Sequence, residues 1–214
     1  MGKVVKLWKD PDGAYFRIRD KTLFPSLKNT DVTFLYGDYL EVEAKGPLKF
    51  IPPSMYGPPE LVHVDWKDTD SPGLILKQFG KGTVAWLPWN LGGLYYLHSS
   101  EAHAGLMRDL IDHLLPHGRQ LKTNAHPLVE ITLMNQGDRH FVHLVNISGH
   151  SQTAYFGAVP MSDISVQVKG VFGSARAVRA GKDLQLTRAG EYARFTVPSL
   201  LDYELVELRL EPRP

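Results

Sequence analysis

Only one segment of this chain, residues 99–116, has a clear helical period. Its apolar residues recur at the i, i+4 spacing that lines one face of a helix, and they are Leu106, Met107, Leu110, Ile111, Leu114 and Leu115. Ser99 or Ser100 can cap the start, Glu101 suits the helix dipole, and Pro116 with Gly118 ends the segment. No helical period follows Pro116, so most of the chain is expected to form strands.

The segments on both sides of this helix have the short alternating pattern of β-strands. Before it, runs separated by Pro and Gly lie at 15–19, 32–36, 39–43, 74–79 and 83–87. After it, runs recur about every 8–12 residues, as is typical of a sandwich, at 128–134, 139–146, 164–168, 175–179, 184–187, 192–197 and 203–210. We therefore predict an α+β, mostly β fold with two domains, residues 1–122 and an all-β sandwich at 123–214. Arg119–Pro127 is predicted to be a polar connector.

The composition excludes several partners and chemistries. Lys and Arg total 24 against 23 Asp and Glu, so a net charge of +1 provides no field to attract nucleic acid or anionic membrane. The absence of cysteine excludes disulfides, thiolate nucleophiles and Cys-ligated zinc. The N-terminus lacks the apolar segment of a signal peptide, and no apolar run approaches the ~20 residues of a membrane-spanning helix. We expect no nucleic-acid or membrane partner, and a cytoplasmic location if the chain is complete.

The glycine-rich stretch Gly80-Lys81-Gly82 lies between two strand-like runs. Phosphate-binding loops of the GxxxxGK[ST] and GxGxxG types open a helix, so that amide donors converge on the phosphate. Here a strand-like run follows, and three-residue loops containing Gly commonly connect hairpins. The pattern therefore favours a hairpin turn over a phosphate site.

Four segments in one order resemble a known family. GLILKQFGKGTVAWLPWNLGGLYY, LMRDLIDHLLP, HPLVEITLMNQGDRHFVHLVN and VPSLLDYELVEL are similar to the carboxy-terminal region of a group of bacterial glycoside hydrolase-like proteins. The resemblance runs from about Tyr15 to Leu210. It implies a beta-galactosidase trimerisation-like domain with a class I glutamine amidotransferase-like (flavodoxin-like) fold, here partial and within 1–122, followed by a β-sandwich.

The chain departs from that family pattern in what it lacks. The catalytic (β/α) barrel of those proteins is not in this sequence, and about 75 residues before the hairpin are few for the usual alternating strands and helices of the first domain. The cysteine nucleophile of amidotransferases is also absent. The resemblance therefore implies either a fragment of a larger enzyme or a stand-alone descendant. Its expected role is a non-catalytic accessory region of a carbohydrate-acting protein, whose partner is a barrel in the parent protein or a second copy of the chain. A carbohydrate-binding module is the alternative.

Candidate catalytic groups are not arranged in any local motif. Glycoside hydrolysis needs two opposed carboxylates, about 5–5.5 Å apart in retaining and about 6.5–9.5 Å apart in inverting enzymes. The candidates are Asp38, Glu41, Glu43, Glu60, Asp65, Asp68 and Asp70, and such acids mostly lie on solvated faces. No GxSxG or HExxH occurs. His98, Glu101 and His103, or His113 and His117, could bind a metal, but we expect structural or surface histidines, no catalytic residue and no cofactor.

Aromatic residues around the hairpin are the candidate contact residues. Trp86 alternates with smaller residues and is expected in the core. Trp89, Tyr95, Tyr96 and His98 follow the hairpin, and exposed rings of this kind can stack on a sugar or anchor a protein interface. The alternative is that they seal the junction between hairpin and helix.

Overall fold

The computed structural model describes residues 2–54, 58, 60, 67–151 and 153–211. The chain divides into two compact units, residues 1–118 and 119–214. Strands dominate both units, which confirms the mostly β class. Neither of the two α-helices found in the described residues is long and apolar enough to cross a membrane.

The described part of the first unit contains seven strands and two α-helices. The strands are β1 Val4–Trp8, β2 Ala14–Ile18, β3 Val32–Leu35, β4 Tyr39–Val42, β5 Leu48–Ile51, β6 Ile75–Phe79 and β7 Gly82–Trp86. They form three small sheets, β1–β4, β3–β2–β5 and β6–β7. The helices are α1 Leu91–His98 and α2 Glu101–Leu114, and a 3-10 turn spans Pro25–Leu27.

Alternating burial explains how these short strands are held. On β2, Ala14, Phe16 and Ile18 are buried while the residues between them face outward. The rings of Phe16, Tyr39, Phe50 and Trp89 form the centre of the core, with ring centroids 4.5–5.9 Å apart. Aromatic rings supply large buried areas, so a unit of short strands can still be stable.

Helix α2 occupies the segment with the helical period. Its buried face includes Leu106 and Leu110. Gly105 lies where a Cβ would be 2.8 Å from the Leu27 side chain, so a glycine lets the helix approach the 3-10 turn. Asp109, also buried, accepts hydrogen bonds from the backbone nitrogen and the hydroxyl of Ser26, at 2.9 and 2.6 Å.

Helix α1 was not predicted. Its sequence LGGLYYLH contains two adjacent glycines, and glycine disfavours a helix interior by ~1 kcal/mol. The helix forms because Asn90 caps it, accepting a hydrogen bond from the Gly93 nitrogen at 2.9 Å, and because Leu91 and Leu94 are buried in the core.

The glycine-rich stretch is a hairpin turn, but its loop is one residue shorter than predicted. Phe79 pairs with Gly82, leaving Gly80 and Lys81 as a two-residue loop, and Gly80 has a φ of +58°. A two-residue hairpin loop with positive φ at its first position demands glycine there. Gly82, predicted as loop, is the first residue of β7.

A flavodoxin-like region would be built on parallel strands with crossover helices. In the described part of residues 1–118 every strand ladder is antiparallel. The hairpin β6–β7 and the helices that follow it are therefore the elements that can be compared with the predicted amidotransferase-like domain.

The second unit is built from two antiparallel sheets around one core. Its strands are β8 Leu121–Thr123, β9 Val129–Gln136, β10 Arg139–Asn146, β11 His150–Ser151, β12 Ala154–Tyr155, β13 Met161–Lys169, β14 Phe172–Ala177, β15 Lys182–Leu184, β16 Thr187–Ala189, β17 Tyr192–Leu200 and β18 Tyr203–Leu210. The sheet orders are β15–β14–β18–β10–β9 and β16–β17–β13–β8, with β11–β12 as a separate hairpin. Both sheets contribute to the core, for example Val142 and Val206 from one and Val166 and Phe195 from the other.

Three details of this unit differ from the sequence prediction. The single run predicted at 184–187 divides into β15 and β16, which belong to different sheets. The predicted connector contributes strand β8, which pairs with β13 at the edge of its sheet. Strand β17 continues through Pro198, which lacks the N–H that a ladder needs. The β13–β17 ladder omits the pair between Asp163 and Pro198, and Asp163 has a φ of +55°.

Candidate functional site

Trp89 lies in the core of the first unit. Its indole nitrogen donates a hydrogen bond to the Gly73 carbonyl at 2.7 Å, and its ring lies 4.8 Å from that of Phe16. The side chain is only 7% exposed. This burial corresponds to the alternative that the residue seals the hairpin–helix junction, and it leaves no ring face open for stacking on a ligand.

Helix α1 presents the other candidate residues at its C-terminal end. Because Leu91 and Leu94 face the core, Tyr95 is half-buried, whereas Tyr96 is 86% exposed and His98 is also exposed. Ser99 ends the helix with a φ of 49° and donates its backbone N–H to the Tyr95 carbonyl. Residues 95 and 98 are three apart and share a helix face, whereas residue 96 lies on another.

His98 contacts two aromatic residues that lie in and just after strand β3. Its ring lies 5.7 Å from that of Phe34 and 5.9 Å from that of Tyr36, both edge-on. Tyr36 is exposed, as is His98. We call Tyr36, Tyr95 and His98 the α1 aromatic surface, and the exposed Tyr96 lies on another face of the same helix. The rings, hydroxyls and imidazole of this surface offer stacking faces and neutral hydrogen-bonding groups.

A second histidine, His103, is buried against Phe34, the residue that His98 also contacts. Its Nε2 is 3.0 Å from the Phe34 carbonyl oxygen, and its ring is 4.4 Å from the Phe34 ring. Nδ1 is buried without a hydrogen-bond partner among the described residues. Burial lowers the pKa of His103, the hydrogen bond to Phe34 opposes this shift, and the nearby His98 adds to it. His103 is therefore neutral at pH 7 and donates from Nε2 to the carbonyl.

Asp38 and Asp68 are each hydrogen-bonded to a basic side chain. Asp38 accepts a hydrogen bond from Lys9 at 3.0 Å, which is the main reason that the pKa of Asp38 lies below its ordinary value. Asp68 receives two hydrogen bonds from Arg19, at 2.9 and 3.0 Å. Burial would raise the pKa of Asp68, but the hydrogen bonding and charge of Arg19, with the charge of Arg17, hold it below its ordinary value.

The remaining acids have separate environments. Glu41 accepts hydrogen bonds from the Trp8 indole at 2.8 Å and from the Ser71 hydroxyl at 2.5 Å. Asp70 pairs with Lys49 at 3.6 Å. Glu43 and Glu60 are exposed, and Asp65 lies outside the described residues. In the described part of the chain, no three His, Asp or Glu side chains converge in a group that could hold a metal ion.

The structure also exposes aromatic residues that sequence reasoning missed. Tyr36 was assigned only to a strand, and its approach to His98 depends on tertiary contacts that leave no local signal. Tyr155 and Phe156, in the second unit, are 78% and 73% exposed. Adjacent aromatic residues followed by Gly157, in a region without Asp, Glu, Lys or Arg from 140 to 162, are a signal that could have identified them.

Comparison with known proteins finds similarity only at the level of structure. No family model and no curated protein matches the sequence. Alpha-L-fucosidase isoenzyme 2 from Paenibacillus thiaminolyticus matches with a TM-score of 0.69 and 16% identity, over 96% of this chain and 32% of that one. Gan42B, a GH42 beta-galactosidase from G. stearothermophilus, matches with a TM-score of 0.53 and 12% identity, over 96% of this chain and 23% of that one. The chain thus spans a third or less of these two proteins, and it shares its fold with a region of glycoside hydrolases.

Proposed function

We propose that this chain is a non-catalytic accessory region of a glycoside hydrolase-like protein that acts on carbohydrate. The observation that carries the proposal is the asymmetry of the structural matches. They cover 96% of this chain but only 32% and 23% of the two enzymes, so the chain corresponds to one region of much larger proteins. Its partner is then a catalytic (β/α) barrel in the parent protein, or a second copy of the chain.

The finer assignment follows the resemblance in the sequence. Residues 1–122 would represent a partial beta-galactosidase trimerisation-like domain of amidotransferase-like ancestry, and residues 123–214 the β-sandwich that follows it. Support comes from the hairpin β6–β7 with helix α2, and from the two-sheet core of the second unit.

The acidic residues support the non-catalytic part of the proposal. A glycosidase general acid must hold its proton near neutral pH, so its pKa is raised. The pKa values of Asp38 and Asp68 are instead lowered by their basic partners, which keeps both carboxylates ionised. Both oxygens of Glu41 are already engaged by hydrogen-bond donors.

Assays on aryl-glycosides test this role. The purified chain is expected to release no aglycone from aryl β-galactosides or aryl α-fucosides above the rate of a buffer blank. Turnover that disappears in Glu41→Gln or Asp68→Asn would contradict the proposal. Light scattering on the same sample measures whether a second copy is a partner, since a monomer at high concentration excludes self-association of the isolated chain.

The second candidate function is a carbohydrate-binding module, and the exposure of Tyr96 favours it. A ring 86% exposed at the end of a capped helix can stack on a sugar with little rearrangement. Tyr96 would provide the stacking ring, with Tyr95 and His98 as further contacts on another face of the helix, and Trp89 would take no part.

Titration calorimetry with soluble polysaccharides tests this candidate. Tyr96→Ala is expected to weaken binding by about tenfold, the equivalent of ~1.4 kcal/mol. Leu97→Ala removes an exposed apolar side chain from the same helix and is the matched control. Equal affinity of the two variants would exclude stacking on Tyr96.

A further inference from the structure

The second unit carries an aromatic hairpin that projects two large rings into solvent. Strands β11 and β12 pair through His150 with Tyr155 and Ser151 with Ala154. Tyr155 is 78% exposed and Phe156 is 73% exposed. Exposed residues of this size grouped together commonly mark a binding site, because exposed apolar surface has no stabilising role in the fold itself.

The base of this hairpin, where residues 148 and 149 approach residues 156–159, is held by close contacts. Phe156 donates its N–H to the Gly149 carbonyl at 2.8 Å. A Cβ on Gly149 would lie 2.2 Å from the Phe156 carbonyl oxygen, so only glycine permits this approach. The Val159 nitrogen donates to the Ser148 hydroxyl at 2.9 Å, which is a second hydrogen bond between the two ends of the segment.

The hairpin is also fastened to the sandwich by a buried amide. The side-chain nitrogen of Asn146 donates to the carbonyls of Val159 and Leu201, both at 2.7 Å. Its oxygen accepts the N–H of Ser148 at 3.1 Å. Because these bonds fix the segment before a ligand arrives, little conformational entropy is lost when one binds to the two rings.

The segment around the rings carries no charge: no Asp, Glu, Lys or Arg occurs from residue 140 to 162. The His150 ring lies edge-on to Tyr155 at 5.2 Å, on the strand face that these two paired residues share. Ser151 and Thr153 are exposed in the same hairpin, as are the apolar side chains of Ile147 and Val159 in the flanking segment. The hairpin therefore offers exposed aromatic rings, an imidazole beside one of them, and hydroxyl groups that both donate and accept hydrogen bonds.

We propose that this aromatic hairpin is a stacking site for neutral carbohydrate. A pyranose presents an apolar C–H face and a rim of hydroxyls, which suits an exposed aromatic ring with the His150 imidazole beside it and hydroxyl groups in the same hairpin. A phosphate, a nucleic acid or an acidic polysaccharide would require cations, and the hairpin has none. The choice of carbohydrate rests on the proposed function, whereas the site is separate from the α1 aromatic surface.

Affinity electrophoresis and titration calorimetry test the site with soluble galactan, xylan and hydroxyethyl cellulose as probes. The wild-type chain is expected to be retarded by at least one of these polysaccharides. The double variant Tyr155→Ala/Phe156→Ala is expected to bind at least about tenfold more weakly. Phe79→Ala removes a ring that is 77% exposed in the first unit and is the matched control, expected to bind as the wild type does.

A leucine pair separates stacking from simple apolar contact. Tyr155→Leu/Phe156→Leu keeps apolar volume but removes the flat rings, so it is expected to lose binding as the alanine pair does. Thermal unfolding of each variant verifies that the fold is retained, as exposure of both side chains predicts.

Several results would overturn the inference. They are no retardation of the wild type by any of the three polysaccharides, undiminished binding by the leucine pair, and loss of binding in Tyr96→Ala with the hairpin variants unaffected. If the wild-type chain sedimented with phosphatidylcholine vesicles, the rings would bind a membrane and not a carbohydrate. If the wild-type chain formed a dimer that dissociated in the alanine pair, the rings would bind a second copy of the chain. None of these results bears on aryl-glycoside turnover, so failure of this site is distinguishable from failure of the accessory role.

Discussion

At the scale of single residues, His103 connects protonation to the stability of the first unit. It is buried, and its lowered pKa means that the folded state resists taking up a proton. The unfolded chain binds that proton at the ordinary value of ~6.5. Stability is therefore fully present above pH ~6.5 and is lost as the pH falls from there toward the lowered pKa of the folded state.

Thermal unfolding between pH 8 and 5 tests this dependence. The melting temperature is expected to be level at and above pH ~7 and to fall below pH ~6.5. His103→Gln stays neutral throughout, so its melting temperature is expected to be lower at pH 8 but to vary less between pH 7 and 5. His113→Gln, at an exposed position on the same helix, is the control and is expected to keep the wild-type slope. An identical slope in His103→Gln would assign the dependence to other groups.

Residue types identified the candidate contact residues, but they did not predict which of those residues are exposed. The candidate residues Trp89, Tyr95, Tyr96 and His98 lie within ten residues of sequence, yet Trp89 is buried and Tyr95 is half-buried. Which of them faces the core depends on the turn at Asn90 that starts helix α1, and on the bridge between Tyr39 and Trp89. The first is a local capping interaction and the second is a tertiary contact, and a list of aromatic residues contains neither.

At the scale of elements, the β6–β7 hairpin depends on one glycine. Gly80 has a φ of +58° and no atom within 4 Å of an added Cβ, whereas the φ of Gly82 lies outside the left-handed range and an added Cβ there would meet only the Phe79 carbonyl oxygen, at 3.9 Å. The two positions thus differ in backbone conformation and not in crowding.

Chemical denaturation of two alanine variants measures that difference. Gly80→Ala is expected to destabilise the chain by about 1–2 kcal/mol, since a left-handed conformation is unfavourable for a residue with a Cβ. Gly82→Ala is the matched control, with an expected change within about 0.5 kcal/mol. Equal effects at the two positions would contradict the two-residue loop.

The two helices show which elements a local sequence pattern can predict and which it cannot. Helix α2 has a long amphipathic period and clear end signals, so the sequence predicted it. Helix α1 has only eight residues and two glycines, and its stability comes from burying Leu91 and Leu94. Strand β8, which lies in the predicted connector, also lacked a local signal, because its three residues form a strand by pairing with β13.

At the scale of the whole molecule, the two units have separate hydrophobic cores. The core residues of the second unit all lie between Val129 and Leu208, and its partly buried contacts begin at Leu121. A core made by one contiguous segment can form without the rest of the chain.

A fragment of residues 119–214 is therefore expected to fold alone. It should show β-type far-ultraviolet circular dichroism and one cooperative transition in urea. Phe195→Ala in the fragment, at a fully buried ring that both sheets surround, is expected to cost about 3–5 kcal/mol. A wild-type fragment without a cooperative transition would mean that the first unit is needed for its stability.

Local sequence patterns predict the mostly β class, helix α2 and most strands of the sandwich, because periodicity and turn residues act within a few positions of one another. Tertiary structure decided the antiparallel ladders of the first unit, the burial of Trp89, the meeting of Tyr36 with His98, and the exposure of Tyr155 and Phe156. Each of these depends on which distant segments pack together. Packing removes one ring from water and leaves its neighbour exposed, although their local sequences look alike.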